Sequence, residues 1–571
     1  MERSKHILEG LGNQYYRATL KSMGFTTDDL KRPIIGIANA WSECVPGHFN
    51  LRQVAQRVKD GIYRAGGTPI EFGVIGGCDG MGQGHDGMHY ILPSRELIAN
   101  SIESMAQINL FDGLVLLGSC DKIVPGMLMA AARLDLPCIF VPGGSMFSGP
   151  GYADQETSDT TSVSEAMGRL QVGEMDEAGV RRLGHVCAPT CGSCQFMGTA
   201  NSMCCLAEAL GMTLPGGAAI PAVFNERLRC ALRSGQQIVD MVHRGITPRK
   251  IMTWEALENA IMLMMAVGGS SNTVIHSCAL AHELGFDTKD VLDAFDRFSE
   301  TIPLLVKINP ATHRYDAVDF YYAGGVTQVL RQLGEKLHRE ALTVTGRTIG
   351  EEVDAYRSPY LPNDELIRPL DRPHSTLGGL AILRGNLAPD TGVSKPAAIH
   401  PDVRRFTGKA ICFDSEDACV EAIEARRVHP GHVVVIRYEG PRGGPGMKEL
   451  YKPMKTLYGQ GLARSTAVIT DGRFSGTNNG CFVGHISPEA AAGGPLALVE
   501  DGDEITIDVE QKTLELHVSE EEMARRRAAW RYQPPRPIGY LARYAAMVSS
   551  ADRGGILIPG ETGGMEHETA E

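Results

Sequence analysis

No stretch of the 571-residue chain approaches the roughly 18 consecutive apolar residues that a membrane span needs. The strongest candidate, Ile261 to Val267, stops at Gly268-Gly269-Ser270-Ser271. The opening residues, MERSKHILEGLGNQYY, carry no apolar segment of the secretory kind. A cytoplasmic protein with no membrane partner is therefore expected. There is no surplus of positive charge either. Lys+Arg number 55 against 68 Asp+Glu, a net charge of −13. That balance speaks against a nucleic-acid partner or an anionic membrane surface. It leaves an anionic small substrate open, because a few local cations suffice to hold one. Internal repeats are absent, and the one loose tract is the Gly-rich tail after Arg553. Wholesale disorder is excluded by 43% hydrophobic and 22% charged residues.

Glycine is in excess, with 66 residues against an average of about 7%. Many tight turns and close backbone approaches follow, as in a site built from loops. The 14 cysteines, in a reducing compartment, are thiols or metal ligands rather than disulfides. Most are expected to be buried as small apolar residues. The length suits two to four domains, or two large ones, with ample core.

The first 350 or so residues alternate short apolar runs with helical patterns. Pro33 to Ala38, Ile70 to Ile75, Gly113 to Leu117 and Cys138 to Val141 read as strands. Val54 to Ala65, a segment from Ser94, and Met127 to Leu134 read as helices between them. The apolar face of the second helix is read as Leu97, Ile98, Ile102 and Met105. This order predicts right-handed crossovers and a largely parallel α/β/α N-terminal domain. Residues 200–350 read mostly helical. The Pro-rich, unpatterned stretch 358–376 marks a boundary, giving domains 1–365 and 366–571. Beyond it, Ala410 to Phe413, His432 to Ile436, Ser465 to Ile469 and Glu504 to Val509 read as strands between Gly-rich turns. A β-rich, barrel-like second domain is expected.

Gly118-Ser119-Cys120-Asp121-Lys122 follows a buried strand, where parallel sheets bind ligands. A thiolate there suits a soft metal and a carboxylate a hard one. The bland alternative is a capped turn. Cys187, Cys191 and Cys194 fall within eight residues, a spacing that resembles zinc or iron–sulfur sites, with His185 as a further ligand. An inert Cys-rich turn explains it too. Gly76-Gly77-Cys78-Asp79-Gly80 again follows a strand and offers Asp79 as a hard-metal ligand, or else a plain tight turn. Gly82, Gly84 and Gly87 spell G-x-G-x-x-G but sit too far from the strand for a dinucleotide site. Gly443 to Glu449 and Thr470 to Thr477 form another pair, with Ser475 as base or nucleophile if strongly activated. No Gly-x-Ser-x-Gly elbow supports a hydrolase triad. Gly268 to Thr273 precede a helix whose free N–H groups can hold an anion or simply be capped. His48, His276, His400 and His485 read as structural.

Together these strings resemble the dihydroxy-acid and sugar-acid dehydratase family. The matching segments include PIIGIANAW, VPGHFNLR, CDGMGQGHDGM, LPSRELIA, GSCDKIVPGMLMAAARL, CGSCQFMGTANSM, VGGSSNTVIH, EGPRGGPGMKE and ITDGRFSG. With the remaining matches they run in family order from about residue 33 to 503. The resemblance implies an α/β N-terminal domain, a β-barrel-like C-terminal domain, and a homodimer or homotetramer. It also implies an active site between the domains, with an iron–sulfur cluster and Mg²⁺. By correspondence, Cys120 and Cys194 match cluster ligands, and Asp79, Asp121 and Glu449 the Mg²⁺ carboxylates. Lys122 matches a carbamylated lysine and Ser475 the catalytic base. Members with a 2Fe–2S cluster carry a third cysteine about where Gly47 stands. The VPGH form resembles the branch with 4Fe–4S clusters, so either cluster type fits. Cys78 is the preferred third ligand and Cys44 the second, with Cys187 and Cys191 remaining. CGSCQFMGTAN and FSGTNNG depart from the commoner family strings, while TDGRFSG leans toward the branched-chain amino-acid enzyme. The leading expectation is a hydro-lyase acting on a small hydroxy acid: 2,3-dihydroxyisovalerate or 2,3-dihydroxy-3-methylvalerate. A sugar-acid dehydratase is the alternative, and a non-catalytic iron–sulfur redox sensor a remote third.

Overall fold

The computed structural model describes residues 3–153, 155–474 and 480–558. Ser475 therefore lies outside the described residues. Four parallel strands form the first sheet: β1 (Ile34–Asn39), β2 (Thr68–Gly73), β3 (Gly113–Gly118) and β4 (Cys138–Pro142). Their order is β2-β1-β3-β4. Every residue of β1, β3 and β4 is buried, as expected of strands covered on both faces. The crossover helices are α1 (Leu51–Arg64), α2 (Ile91–Asn109) and α3 (Ile123–Leu134).

Close helix packing explains part of the glycine excess. Helix α1 lies against the helix Asn225–Arg244 through Gly61 and Gly235. A Cβ on Gly61 would stand 2.0 Å from the Leu232 carbonyl oxygen, and one on Gly235 2.2 Å from that of Val58. Only glycine permits this approach. The expected face of α2 needs correction. Leu97 is exposed and Met105 half-buried, while Arg95, Glu96, Ile98, Ala99, Ile102 and Ala106 face inward. The buried Arg95 explains the shift. Its guanidinium donates to the carbonyls of Gly554 and Gly555, so α2 turns a polar group toward the chain's last described segment.

The second half closes an eight-stranded barrel. Its strands are β5 (Ala381–Gly385), β6 (Ala388–Ser394), β7 (Arg405–Phe413), β8 (His432–Ile436), β9 (Ala467–Thr470), β10 (Cys481–Ser487), β11 (Glu504–Asp508) and β12 (Thr513–Leu516). The cyclic order is β8-β9-β10-β6-β5-β12-β11-β7. Strands β7 to β10 pair in parallel, and β10–β6, β6–β5, β11–β12 and β11–β7 antiparallel. Leu383, Val433, Val435, Ile469, Val483, Ile505 and Leu514 belong to its core. A closed barrel leaves no strand edge to protect. The sequence reading missed β5, β6, β10 and β12. Strand β6, Ala-Pro-Asp-Thr-Gly-Val-Ser, has no apolar alternation and is held by its neighbours.

The two halves meet along a polar seam. Lys455 Nζ lies 2.6 Å from Glu165, both buried. The Tyr451 hydroxyl donates to the Thr161 carbonyl at 3.2 Å. Among the described residues no helix is long and apolar enough to cross a membrane.

Candidate active site and metal centre

The site is built where the parallel strands end. The loop after β2 leads to a short helix, Asp79–Gly82, whose first residue is Asp79. The loop after β3 carries Ser119, Cys120, Asp121 and Lys122 before α3 begins. Strand C-termini of a parallel sheet are open to ligand on the same side, which brings the two loops together. From the other half come Glu449 and Arg473, paired in a short parallel bridge. Arg473 N donates to Lys448 O at 2.9 Å, and Leu450 N to Arg473 O at 2.8 Å.

Asp471 fixes the start of the Glu449 loop. Its buried carboxylate accepts from the backbone N–H groups of Tyr438, Glu439 and Ala490 at 3.1, 2.9 and 3.0 Å. Burial pushes its pKa up to about 6. The loop then approaches the first half closely. Gly446 has φ +88°, and a Cβ there would stand 1.8 Å from the His89 carbonyl oxygen.

Oxygens of Asp79, Asp121 and Glu449 come within 4.8 Å of one another. Three carboxylates so close suit a hard divalent cation. Asp79 Oδ1 is buried without a hydrogen-bond partner, an acceptor of the kind a cation would satisfy. Two buried cations balance the cluster. Lys122 Nζ donates to Asp79 Oδ2 at 2.7 Å and lies 3.5 Å from Asp121. Arg473 Nη1 donates to Glu449 Oε2 at 2.9 Å and stands 3.5 Å from Asp79. Asn272 Nδ2 also donates to Glu449 Oε2, at 2.8 Å. Burial, then Asp79, push the Asp121 carboxyl up to about 8. Burial and then the Asp79 charge raise Glu449 as well.

A soft group stands beside this hard one. The Cys78 and Cys120 thiols are hydrogen-bonded to each other; this contact holds Cys78 below the usual thiol range and Cys120 above it. Cys194 is raised by burial first and then by the Cys78 charge, which puts it in the same electrostatic neighbourhood. Its turn is tied to the first sheet: Gly192 N donates to Pro46 O at 3.0 Å and Ser193 N to Gly144 O at 2.8 Å. Gly47 sits against this group, since a Cβ there would be 2.6 Å from Cys120 Sγ. Two of the other cysteines named from the sequence lie elsewhere. Cys187 packs among Tyr152, Ala166 and Leu183, and Cys44 is exposed. His185 is exposed too, and no metal-holding group among the described residues includes it.

Models of the dihydroxy-acid/6-phosphogluconate dehydratase N-terminal and C-terminal domains match residues 32–352 and 365–555. The chain belongs to the dihydroxy-acid/6-phosphogluconate dehydratase family. It is 48% identical over 561 residues to a Caldanaerobacter subterraneus subsp. tengcongensis protein named dihydroxy-acid dehydratase, covering 98% of this chain and 100% of that one. Proteins of the same name from Pyrococcus abyssi and Methanosarcina barkeri are 48% identical over 557 and 559 residues. Each match covers 97% of this chain and 100% of the relative. The dehydratase-family fold thus brings Asp79, Asp121, Lys122 and Glu449 to one point, with Cys78 and Cys120 in contact beside them.

Sequence reasoning assigned Arg473 no role, placed Asn272 only within a helix start able to hold an anion, and marked His48 as structural. Arg473 was in view within Thr-Asp-Gly-Arg-Phe, but only the structure shows its side chain fully buried. Asn272 opens the helix Asn272–Leu284, and the carboxylate held at that helix start is the protein's own Glu449. His48 Nε2 accepts from the N–H groups of Ser119 and Cys120 at 3.0 and 3.3 Å. Burial lowers its pKa to about 4, so it is the neutral ring that props this turn.

Proposed function

We propose that this chain is a dihydroxy-acid dehydratase of branched-chain amino-acid biosynthesis. It converts 2,3-dihydroxyisovalerate and 2,3-dihydroxy-3-methylvalerate to 2-keto acids. The observation that carries the reading is the meeting of a three-carboxylate cluster with a cysteine pair. The full-length relatives named for that activity supply the substrate class.

The residues fit both cofactors that the family resemblance implies. Asp79, Asp121 and Glu449 would hold Mg²⁺, with Lys122 as a fourth oxygen donor once carbamylated. Cys120, Cys194 and, as third ligand, Cys78 would hold the iron–sulfur cluster, 2Fe–2S or 4Fe–4S. When bound, Mg²⁺ would supply positive charge for the substrate carboxylate and C2 hydroxyl, and the cluster iron would supply Lewis acidity for the C3 hydroxyl. Ser475, as alkoxide, accepts the C2 proton; hydroxide leaves C3, and the enol tautomerises to the 2-keto acid. Arg473 holds Glu449 in place, Asn272 fixes the same carboxylate oxygen, and His48 orients the Cys120 turn. The enzyme works as a cytoplasmic homodimer or homotetramer, with domains 1–365 and 366–571 contributing to one site.

The test is 2-keto-acid formation by anaerobically purified, Mg²⁺-supplied protein. Dihydroxyisovalerate should be preferred over a panel of aldonic acids. Preference for an aldonate would reassign the chain to sugar-acid breakdown, and no turnover on either would leave the redox-sensor reading. Ser475→Ala should keep the cluster's visible absorbance and lose turnover; retained turnover removes Ser475 as the base.

A further inference from the structure

A cavity of about 610 Å³ opens on the seam between the two halves, and none of its lining residues belongs to the carboxylate cluster or the cysteine group. Its size falls within the ~300–1,000 Å³ range of small-molecule sites. Arg169 and Lys307 line it from the first half, and Arg404 and Arg464 from the second. Three histidines complete the polar wall, and the one carboxylate among them is Glu174. Glu174 is already engaged, 3.8 Å from Arg169. Four permanent cations thus line one cavity of a chain whose net charge is −13; Arg169 and Arg404 have Glu174 and Glu510 beside them, while Lys307 and Arg464 have no ion-pair partner among the described residues. Gathering like charges raises the Coulomb energy unless an anion offsets it.

A second observation points the same way. Arg404 Nε is buried without a hydrogen-bond partner, although Nη1 of the same side chain reaches Glu510 at 3.6 Å. A guanidinium offers two parallel donors to a carboxylate or phosphate, and here part of that fork is unused. Neighbours of two lining residues are also tied to the segment that follows Cys194. Asn309, next to the lining Pro310, accepts from Met197 N at 2.8 Å, and Lys395, two residues before the lining Ala397, donates to Met197 O at 3.2 Å.

We propose that this cavity is an anion-docking subsite, separate from the acidic metal cluster, for small carboxylates or phosphorylated metabolites. Carboxylate and phosphate share the chemistry that this lining recognises, and two probes separate them. Inorganic phosphate and isobutyrate are titrated into the full Mg²⁺-supplied chain at constant ionic strength, with heat as the readout. The comparison is the double variant Lys307→Glu/Arg464→Glu. Both side chains are exposed, so thermal unfolding and Mg²⁺ affinity should not change. Saturable binding weakened roughly tenfold or more in the double variant is expected. Binding of phosphate alone assigns the subsite to phosphorylated ligands, and binding of isobutyrate as well extends it to carboxylates. Absence of binding by both probes, or equal binding by the double variant, overturns the proposal. The readout is equilibrium binding without turnover, so its outcome is independent of whether the chain dehydrates dihydroxy acids.

Discussion

Mg²⁺ uptake by this protein should be steeply pH-dependent, and the acidic cluster sets the magnitude. Burial and the adjacent Asp79 move the Asp121 carboxyl from 3.8 to about 8. Below that value the group holds a proton, which a cation taking the same oxygen must displace. The Mg²⁺ Kd should therefore rise about tenfold for each pH unit below 8, or ~1.4 kcal/mol. Between pH 8 and pH 6 the loss is roughly 100-fold, ~2.7 kcal/mol. Above pH 8 the curve should flatten. The sign for stability follows from the same shift. An acid whose folded-state pKa is raised favours folding fully below its ordinary value. That contribution fades as pH climbs from 3.8 through about 8, because the folded state then binds more protons than the unfolded one. Mg²⁺ should restore stability most at the alkaline end. The assay is calorimetric titration of Mg²⁺ between pH 6 and 9, in buffers of different ionisation heat. About one proton should be released per Mg²⁺ near pH 6.5 and almost none at pH 9. In Asp121→Asn, binding should be weaker and much less dependent on pH. A flat affinity in the unaltered protein, with no proton released, would refute the reasoning.

Three further outcomes follow from the same geometry. Arg473→Met removes the buried cation between Glu449 and Asp79, and should cost about 3–5 kcal/mol in urea unfolding with EDTA present. The cost should shrink with Mg²⁺; equal losses in both conditions would contradict the charge-balance account. Gly446→Ala puts a Cβ 1.8 Å from the His89 carbonyl oxygen at φ +88°, so the Glu449 loop must shift. Mg²⁺ affinity should drop about tenfold or more, and an unchanged affinity would show that the loop tolerates the shift. After anaerobic reconstitution, Cys78→Ser should hold less iron and sulfide than the parent protein, while Cys187→Ser holds as much. The reverse pattern would exchange their roles, since Cys187 here packs in the apolar cluster of Tyr152, Ala166 and Leu183.

Much of the first half was legible because its strands are continuous apolar runs between helical patterns. Buried parallel strands such as Gly113–Gly118 leave that signature wherever they occur in a chain. The barrel was legible as a class but not strand by strand. Short strands such as Thr513–Leu516 carry too few residues for a period to show and depend on neighbours far away in the chain. The buried face of α2 was misread because Arg95 looks like a surface residue until its partners at Gly554 and Gly555 are known.

By itself the sequence determined which residue types stand at the ends of the strands: Asp79, Cys120, Asp121 and Lys122, with Glu449 and Ser475 in later Gly-rich loops. Local chemistry and the run of motifs were enough for that, and for the family. Tertiary structure decided which of them meet. It set Glu449 within reach of Asp79 and Asp121, 370 and 328 residues earlier in the chain, and chose Cys78 over Cys44 and Cys187 as the thiol touching Cys120. It also turned Arg473 from a letter in a loop motif into one of the two cations that balance the cluster. The reason is physical: a side chain's charge state and partners depend on what excludes water from it, and here that wall comes from the other half of the chain.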